Sequence, residues 1–128
     1  MGELYIGLMS GTSMDGIDAA LVEFGDSTIR IHQAANYPYP AALREQLLAA
    51  IAVPLDREIP GVAELDRATG ECFRDAALAL LREARVDAGD VTAIGSHGQT
   101  LRHQPNAENP FTLQIAAPFL CRPTLPTG

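Results

Sequence analysis

The chain has 128 residues, 47% of them hydrophobic and 20% charged, which suits one globular domain with its own core and excludes a disordered chain. A formal net charge of −7 and a pI near 4.7 exclude a nucleic-acid-binding face, because phosphates select basic surfaces. All 9 basic residues are Arg, so neither a Walker-type lysine nor a lysine Schiff base can operate within these residues.

Leu4 to Met9 is short, apolar and rich in strand formers, and it ends in a Ser/Gly/Thr/Asp cluster. Ile17 to Phe24 resumes as a second strand, and Gly25-Asp26-Ser27 signals a turn. A third strand spans Thr28 to Tyr37, where Ile29 and Ile31 alternate with Arg30 and His32. Three strands joined by short turns predict an antiparallel meander. Tyr37-Pro38-Tyr39-Pro40 is extended, since each proline drives its predecessor out of the α region. Pro40 then opens a helix whose apolar side is Leu43, Leu47 and Ile51 and which Pro54 stops.

A longer helix covers about residues 60 to 85, with Val62, Leu65, Thr69, Cys72, Phe73, Ala76, Leu80 and Ala84 at helical spacing. Glu64, Arg67, Glu71, Arg74 and Asp75 line its other side. Charge pairs at that spacing stabilise by only ~0.2–0.5 kcal/mol, which marks a solvated face. Val91 to Gly95 is a buried-type strand ending in Ser96-His97-Gly98-Gln99-Thr100. After a polar turn from Asn106 to Pro110, Phe111 to Ile115 forms a last strand.

Cys72 and Cys121 have no CxxC or Cys/His metal spacing, and Cys72 in its apolar stripe predicts a buried, reduced thiol. Met1-Gly2-Glu3-Leu4 carries no basic leader, position 6 lacks the Ser or Thr of a myristoylation signal, and no apolar run reaches the roughly 20 residues that span a bilayer. The expectation is a cytoplasmic protein without membrane attachment.

The segment Ser10-Gly11-Thr12-Ser13-Met14-Asp15-Gly16 places two glycines, three hydroxyls and a carboxylate between two strands. Glycines admit positive φ and close approach, successive N–H groups can form an anion-binding nest, and Asp15 can hold Mg²⁺ through water. On composition alone a plain polar turn is the favoured reading. Gly-Thr-Ser-Met also surrounds the nucleophile of subtilisin-like proteases. In those enzymes the serine opens a long helix after its Asp and His partners. Here neither residue precedes Ser13 and a strand follows, so the protease reading is excluded.

Tyr5 to Asp18, reading YIGLMSGTSMDGID, is similar nearly letter for letter to the opening motif of anhydro-N-acetylmuramic acid kinases. Ile94 to His103, IGSHGQTLRH, and Phe111 to Ile115, FTLQI, resemble that family's next motifs in the same order and spacing. The resemblance covers about residues 4 to 115. It implies an α/β, ribonuclease-H-like fold of the sugar-kinase/Hsp70/actin type: a three-strand antiparallel meander extended by a parallel strand, with helices packed on the sheet. Residues 1–115 would form the first ATPase lobe, incomplete, and 116–128 a divergent tail.

The reaction so implied opens the 1,6-anhydro ring of anhydro-N-acetylmuramic acid with water and phosphorylates O6 from ATP, with ATP and Mg²⁺ as cofactors. Carried over, Gly11, Thr12, Ser13, Met14, Asp15, Gly16, Ile17 and Asp18 would bind ATP phosphates, with Asp15 organising metal-bound water. The superfamily's usual aspartate late in the first strand is replaced here by Met9. Ser96, His97, Gly98, Gln99 and Thr100 would leave the C-terminal end of a parallel strand to meet the sugar, and Arg102 its lactyl carboxylate. Without the resemblance the favoured reading of His97 is a turn-fixing residue, and Arg102 is equally a surface arginine; His32 and His103 are left as exposed and unassigned.

The family continues after Gln-Ile with Gly-Asp or Gly-Asn, a helix, and a later Asp-Phe-Arg aspartate as general base. Here Ala116-Ala117 and the prolines Pro123 and Pro126 depart from that pattern. The expected base therefore lies beyond Gly128, leaving the chain by itself inactive. Three explanations stand open: a gene fragment, a frameshifted tail, and a non-catalytic sugar- or nucleotide-binding module. Half of a clasping pair would leave its cleft face unpaired, so self-association as a homodimer is the expected protein contact.

Overall fold

The computed structural model describes residues 2–11 and 13–116. Five strands, β1 (Glu3–Ser10), β2 (Ile17–Phe24), β3 (Ile29–Tyr37), β4 (Val91–Gln104) and β5 (Phe111–Ile115), make one sheet in the order β3-β2-β1-β4-β5. β1 pairs antiparallel with β2, and β2 with β3; β4 joins β1 in parallel, and β5 returns antiparallel on β4. The parallel pairing needs a crossover, supplied by α1 (Ala41–Ala52) and α2 (Val62–Ala84) between β3 and β4.

Alternation along β1 and β2 divides the sheet into two faces. Ile6, Leu8, Ser10, Ile17, Ala19 and Leu21 point into the core, while Gly7, Met9 and Asp18 point away from it. Both helices lie on the core face. α2 packs across all five strands and α1 packs on α2 and β4. The stripe Leu65, Thr69, Phe73, Ala76 and Leu80 of α2 is buried at i, i+4 and i, i+3 spacing. Phe73 has no exposed surface, and burying such a ring contributes roughly 1.5–3 kcal/mol. α1 buries Leu43, Leu47 and Ala50. Pro40 stands one position outside α1 as its N-cap, at φ −54° and ψ 140°.

Three expectations are corrected. The strand beginning at Val91 does not end at Gly95; it runs 14 residues to Gln104, because β1 on one side and β5 on the other supply partners for its polar and glycine positions. Ile29 and Ile31 are 72% and 65% exposed, since no helix covers that end of the edge strand β3. Cys72 is only half-buried, and burial raises its thiol pKa. Cys121, Ala117 and the tail prolines lie outside the described residues.

Ala116 ends β5 at φ 91°, a conformation L side chains rarely adopt, at the position where the resembled family carries glycine. Its amide donates to Asp66 Oδ1 at 2.6 Å, which fastens the end of β5 to α2.

Candidate functional site

The turn after β1 is held from inside through its carbonyls. Ser10 Oγ, buried, donates to Gly16 O at 2.7 Å, and Arg44 Nε from α1 donates to Met14 O at 3.1 Å. Gln99 Nε2 from β4 donates to Gly11 O at 2.7 Å, and the Met14 amide donates to the same carbonyl at 3.3 Å. Met14 adopts φ 58° and buries its side chain completely, plugging the loop into the core. Gly16 is at φ 132°, where a Cβ would lie 2.7 Å from Asn36 Oδ1 and from Tyr37 O, so only glycine fits. Gly11, Ser13 and Asp15 remain exposed at the loop's outer side. With its carbonyls engaged inward and small or polar residues outward, the loop suits an anion.

Of the residues expected at phosphate, Ser13, Asp15 and Asp18 are accessible, whereas Met14 and Ile17 are core residues that shape the loop from below. Thr12 lies outside the described residues. Asp18 sits on the open face of the sheet, opposite Met9 in the β1–β2 register, with Asn36 Nδ2 donating to its carboxylate at 2.9 Å.

The second motif enters the same face through a bulge. Leu8 pairs with Ser96 and Met9 with Gly98, so His97 is an extra residue in β4 and Gly98 takes φ 77°. Regular alternation would place Gln99 on the open face beside Gly95 and His97. The inserted residue turns it to the core face beside Ser10 instead.

Gln99, expected to meet sugar hydroxyls, is therefore fully buried. Its Nε2 donates to Gly11 O and to Thr100 O at 3.0 Å, and its Oε1 accepts from Tyr39 OH at 2.8 Å. Burial pushes the Tyr39 phenol up to about 12, against an opposing hydrogen bond with Ser10.

Arg102, expected at the lactyl carboxylate, is engaged by backbone. Its Nη2 donates to Pro54 O at 3.2 Å and to Arg57 O at 2.9 Å, tying β4 to the α1–α2 connection. Thr100 is buried, and its Oγ1 accepts from Gln114 Nε2 at 3.4 Å. Exposed His97 keeps its place at the open face, whereas Ser96, paired with core-facing Leu8, turns its Oγ inward, where it is buried without a hydrogen-bond partner among the described residues.

A groove of about 740 Å³ runs over this face, with Gly7, Ala20, Ala34 and Gly95 as its floor and Asp18, Met9, Ser96 and His97 around it. It brings the first and second motifs to one surface although they are some eighty residues apart in sequence. Tyr39, Arg44 and Asn36, which brace the loop and Asp18, carry no sequence signal, because their roles depend on which strand or helix ends beside the loop.

No group of three or more His, Cys, Asp or Glu side chains converges to hold a metal among the described residues. Asp15 and Asp18 are instead separate, exposed carboxylates near the loop, a donor set that fits Mg²⁺ carrying waters and phosphate oxygens. No described helix is long and apolar enough to cross a membrane.

Comparison with known proteins matches residues 3–124 to the family described as anhydro-N-acetylmuramic acid kinase, past the last described strand, which ends at Ile115. Among curated relatives, the anhydro-N-acetylmuramic acid kinase of Vibrio vulnificus is 51% identical over 113 residues, 88% of this chain and 30% of the relative. That of Coxiella burnetii is 47% identical over 116 residues, 91% of this chain and again 30% of the relative. The chain thus spans about 30% of the length of the curated relatives it matches.

Proposed function

This chain belongs to the anhydro-N-acetylmuramic acid kinase family, and from that premise we propose that it forms the phosphate-binding lobe of an ATP-dependent sugar kinase with a ribonuclease-H-like, actin-type fold. In the proposed reaction water adds to C1 of the 1,6-anhydro sugar and gives its proton to a general base. The C1–O6 bond breaks, and O6 takes the γ-phosphoryl group of ATP, giving N-acetylmuramic acid 6-phosphate and ADP. The base is assigned to a part of the full-length relatives that this chain does not span.

The observation that carries the reading is the parallel pairing of Leu8 with Ser96 and Met9 with Gly98, which puts the two resembled motifs side by side. The loop from Gly11 to Gly16 receives phosphate oxygens with its outward groups, Ser13 adding a hydroxyl donor. Asp15 and Asp18 hold hydrated Mg²⁺, which when bound neutralises charge on the phosphates. His97 on its bulge faces the groove and hydrogen-bonds the sugar. Binding and orientation are the contributions of these residues; proton abstraction is not assigned to them. The order β3-β2-β1-β4, with helices crossing between β3 and β4, supports the fold assignment.

Titration calorimetry with MgATP and with anhydro-N-acetylmuramic acid, alongside a phosphorylation assay, tests this. Nucleotide binding without turnover is expected of the 128-residue chain. Turnover by the chain alone would overturn the placement of the base elsewhere. Sugar binding that His97→Ala abolishes, with no nucleotide binding, would favour a non-catalytic sugar-binding module.

A further inference from the structure

We propose that Gln99 is the positioning residue of the phosphate loop, with Tyr39 setting the orientation of its amide. The inference rests on the loop's proposed role at phosphate. It concerns a residue whose motif otherwise reads as a sugar contact.

The carboxamide of Gln99 has one acceptor oxygen and two N–H donors to satisfy in a fully buried place. Both donors are taken by carbonyls, Gly11 O at 2.7 Å and Thr100 O at 3.0 Å, and the oxygen by Tyr39 OH at 2.8 Å. Gln99 is the one described side chain that joins β4 to the loop by a hydrogen bond, across 88 positions of sequence.

Tyr39 makes the arrangement directional. A phenol held neutral by burial donates to Oε1, which leaves Nε2 to face Gly11. The flipped amide would set Oε1 against the Gly11 carbonyl, two acceptors in contact without a proton between them. The Gly11 carbonyl also accepts the Met14 amide, so its position fixes the turn that seats Met14 in the core and exposes Ser13 and Asp15.

The geometry exists because of the β4 bulge. Were β4 to pair regularly through His97, with His97 opposite Met9, Gln99 would lie on the open face and the loop would lose this donor. One bulge therefore both presents His97 to the groove and turns Gln99 to brace the loop.

Amide hydrogen exchange followed by NMR on the 128-residue chain tests the proposal in wild type, Gln99→Ala, Gln99→Glu and Tyr39→Phe. The Met14 amide reports the loop and the Leu8 amide reports β1. Exchange at Met14 is expected to rise roughly tenfold in both Gln99 variants, the effect of losing about one buried hydrogen bond, and roughly threefold in Tyr39→Phe, with Leu8 unchanged. Equal acceleration at Met14 and Leu8, or none at Met14, overturns the proposal. Should the Gln99 variants fail to fold, the Tyr39→Phe ratio decides by the same criterion.

Adding MgATP separates the brace from the reading it rests on. Shifts at the loop amides in wild type that weaken in Gln99→Glu support both. Absence of shifts in wild type, with selective exchange at Met14 in the variants, removes the phosphate reading and leaves the brace.

Discussion

Asp18 stands directly opposite Met9 across β1 and β2, so a carboxylate faces the groove from the position that the first strand itself fills with a thioether. Asn36 on β3 holds that carboxylate at 2.9 Å. Met9 stands where the superfamily has its aspartate, which leaves Asp15 as the acidic group of the motif; the register supplies a second candidate on the neighbouring strand. Asp18→Asn is expected to weaken MgATP binding about tenfold, the loss of one charge-assisted contact of ~1.4 kcal/mol, while leaving Mg²⁺-free nucleotide binding unchanged. Calorimetry with and without Mg²⁺ on Asp18→Asn and Asp15→Asn identifies which carboxylate serves the metal.

Gly98 is at φ 77°, and a Cβ there would lie 2.3 Å from the carbonyl oxygen of Ile115. Neither strain nor backbone overlap can be relieved by a side-chain rotation. Gly98→Ala is expected to destabilise the chain by about 2–3 kcal/mol and to shift its urea midpoint down at constant slope.

Ala116 presents the opposite case, a side chain where φ 91° favours glycine. Relief of roughly 1–3 kcal/mol of backbone strain exceeds the ~0.5–1 kcal/mol that glycine loses in unfolded-chain entropy. Ala116→Gly is expected to raise stability by about 0.5–1 kcal/mol in urea denaturation, provided the Asp66 contact to the residue's amide persists.

Burial pushes both Tyr37 and Tyr39 up to about 12 from an ordinary value of 10. A group whose folded pKa is raised contributes stability that is complete below the unfolded pKa and lost as pH rises through the folded one. Stability should therefore be level up to about pH 10 and fall between about 10 and 12. Tyr39→Phe should make that fall shallower without abolishing it, since Tyr37 remains. Urea midpoints measured from pH 8 to 12 check both parts.

At the acid end, His32 bonded to Glu23 at 2.6 Å, and then the Gly2 amide, hold that carboxyl below its ordinary value. Its contribution is present above the unfolded pKa and lost as pH falls through the folded one. The pair is exposed, so His32→Ala should move the acid midpoint only slightly in a pH titration followed by circular dichroism.

The sequence by itself determined the meander, both helices and the family. Alternation in β1 and β2, the Gly25-Asp26-Ser27 turn and the α2 stripe are local patterns, and they predict local structure. The three motifs likewise stand in the chain as letters and spacing. Only the tertiary structure decided which way the motif side chains point. Ser96 to Thr100 reads locally as a polar turn, yet it is strand because β1 and β5 flank it. Gln99 faces inward because the bulge at His97 reverses the pleat, and Arg102, past a second irregularity in pairing after Thr100, turns to the α1–α2 connection, which offers carbonyls at Pro54 and Arg57. A strand's faces are set by pairing with distant residues, and a bulge is a property of two strands together. The stretch of β4 itself, Ser-His-Gly-Gln-Thr, therefore could not announce that His97 meets the groove while Gln99 holds the loop.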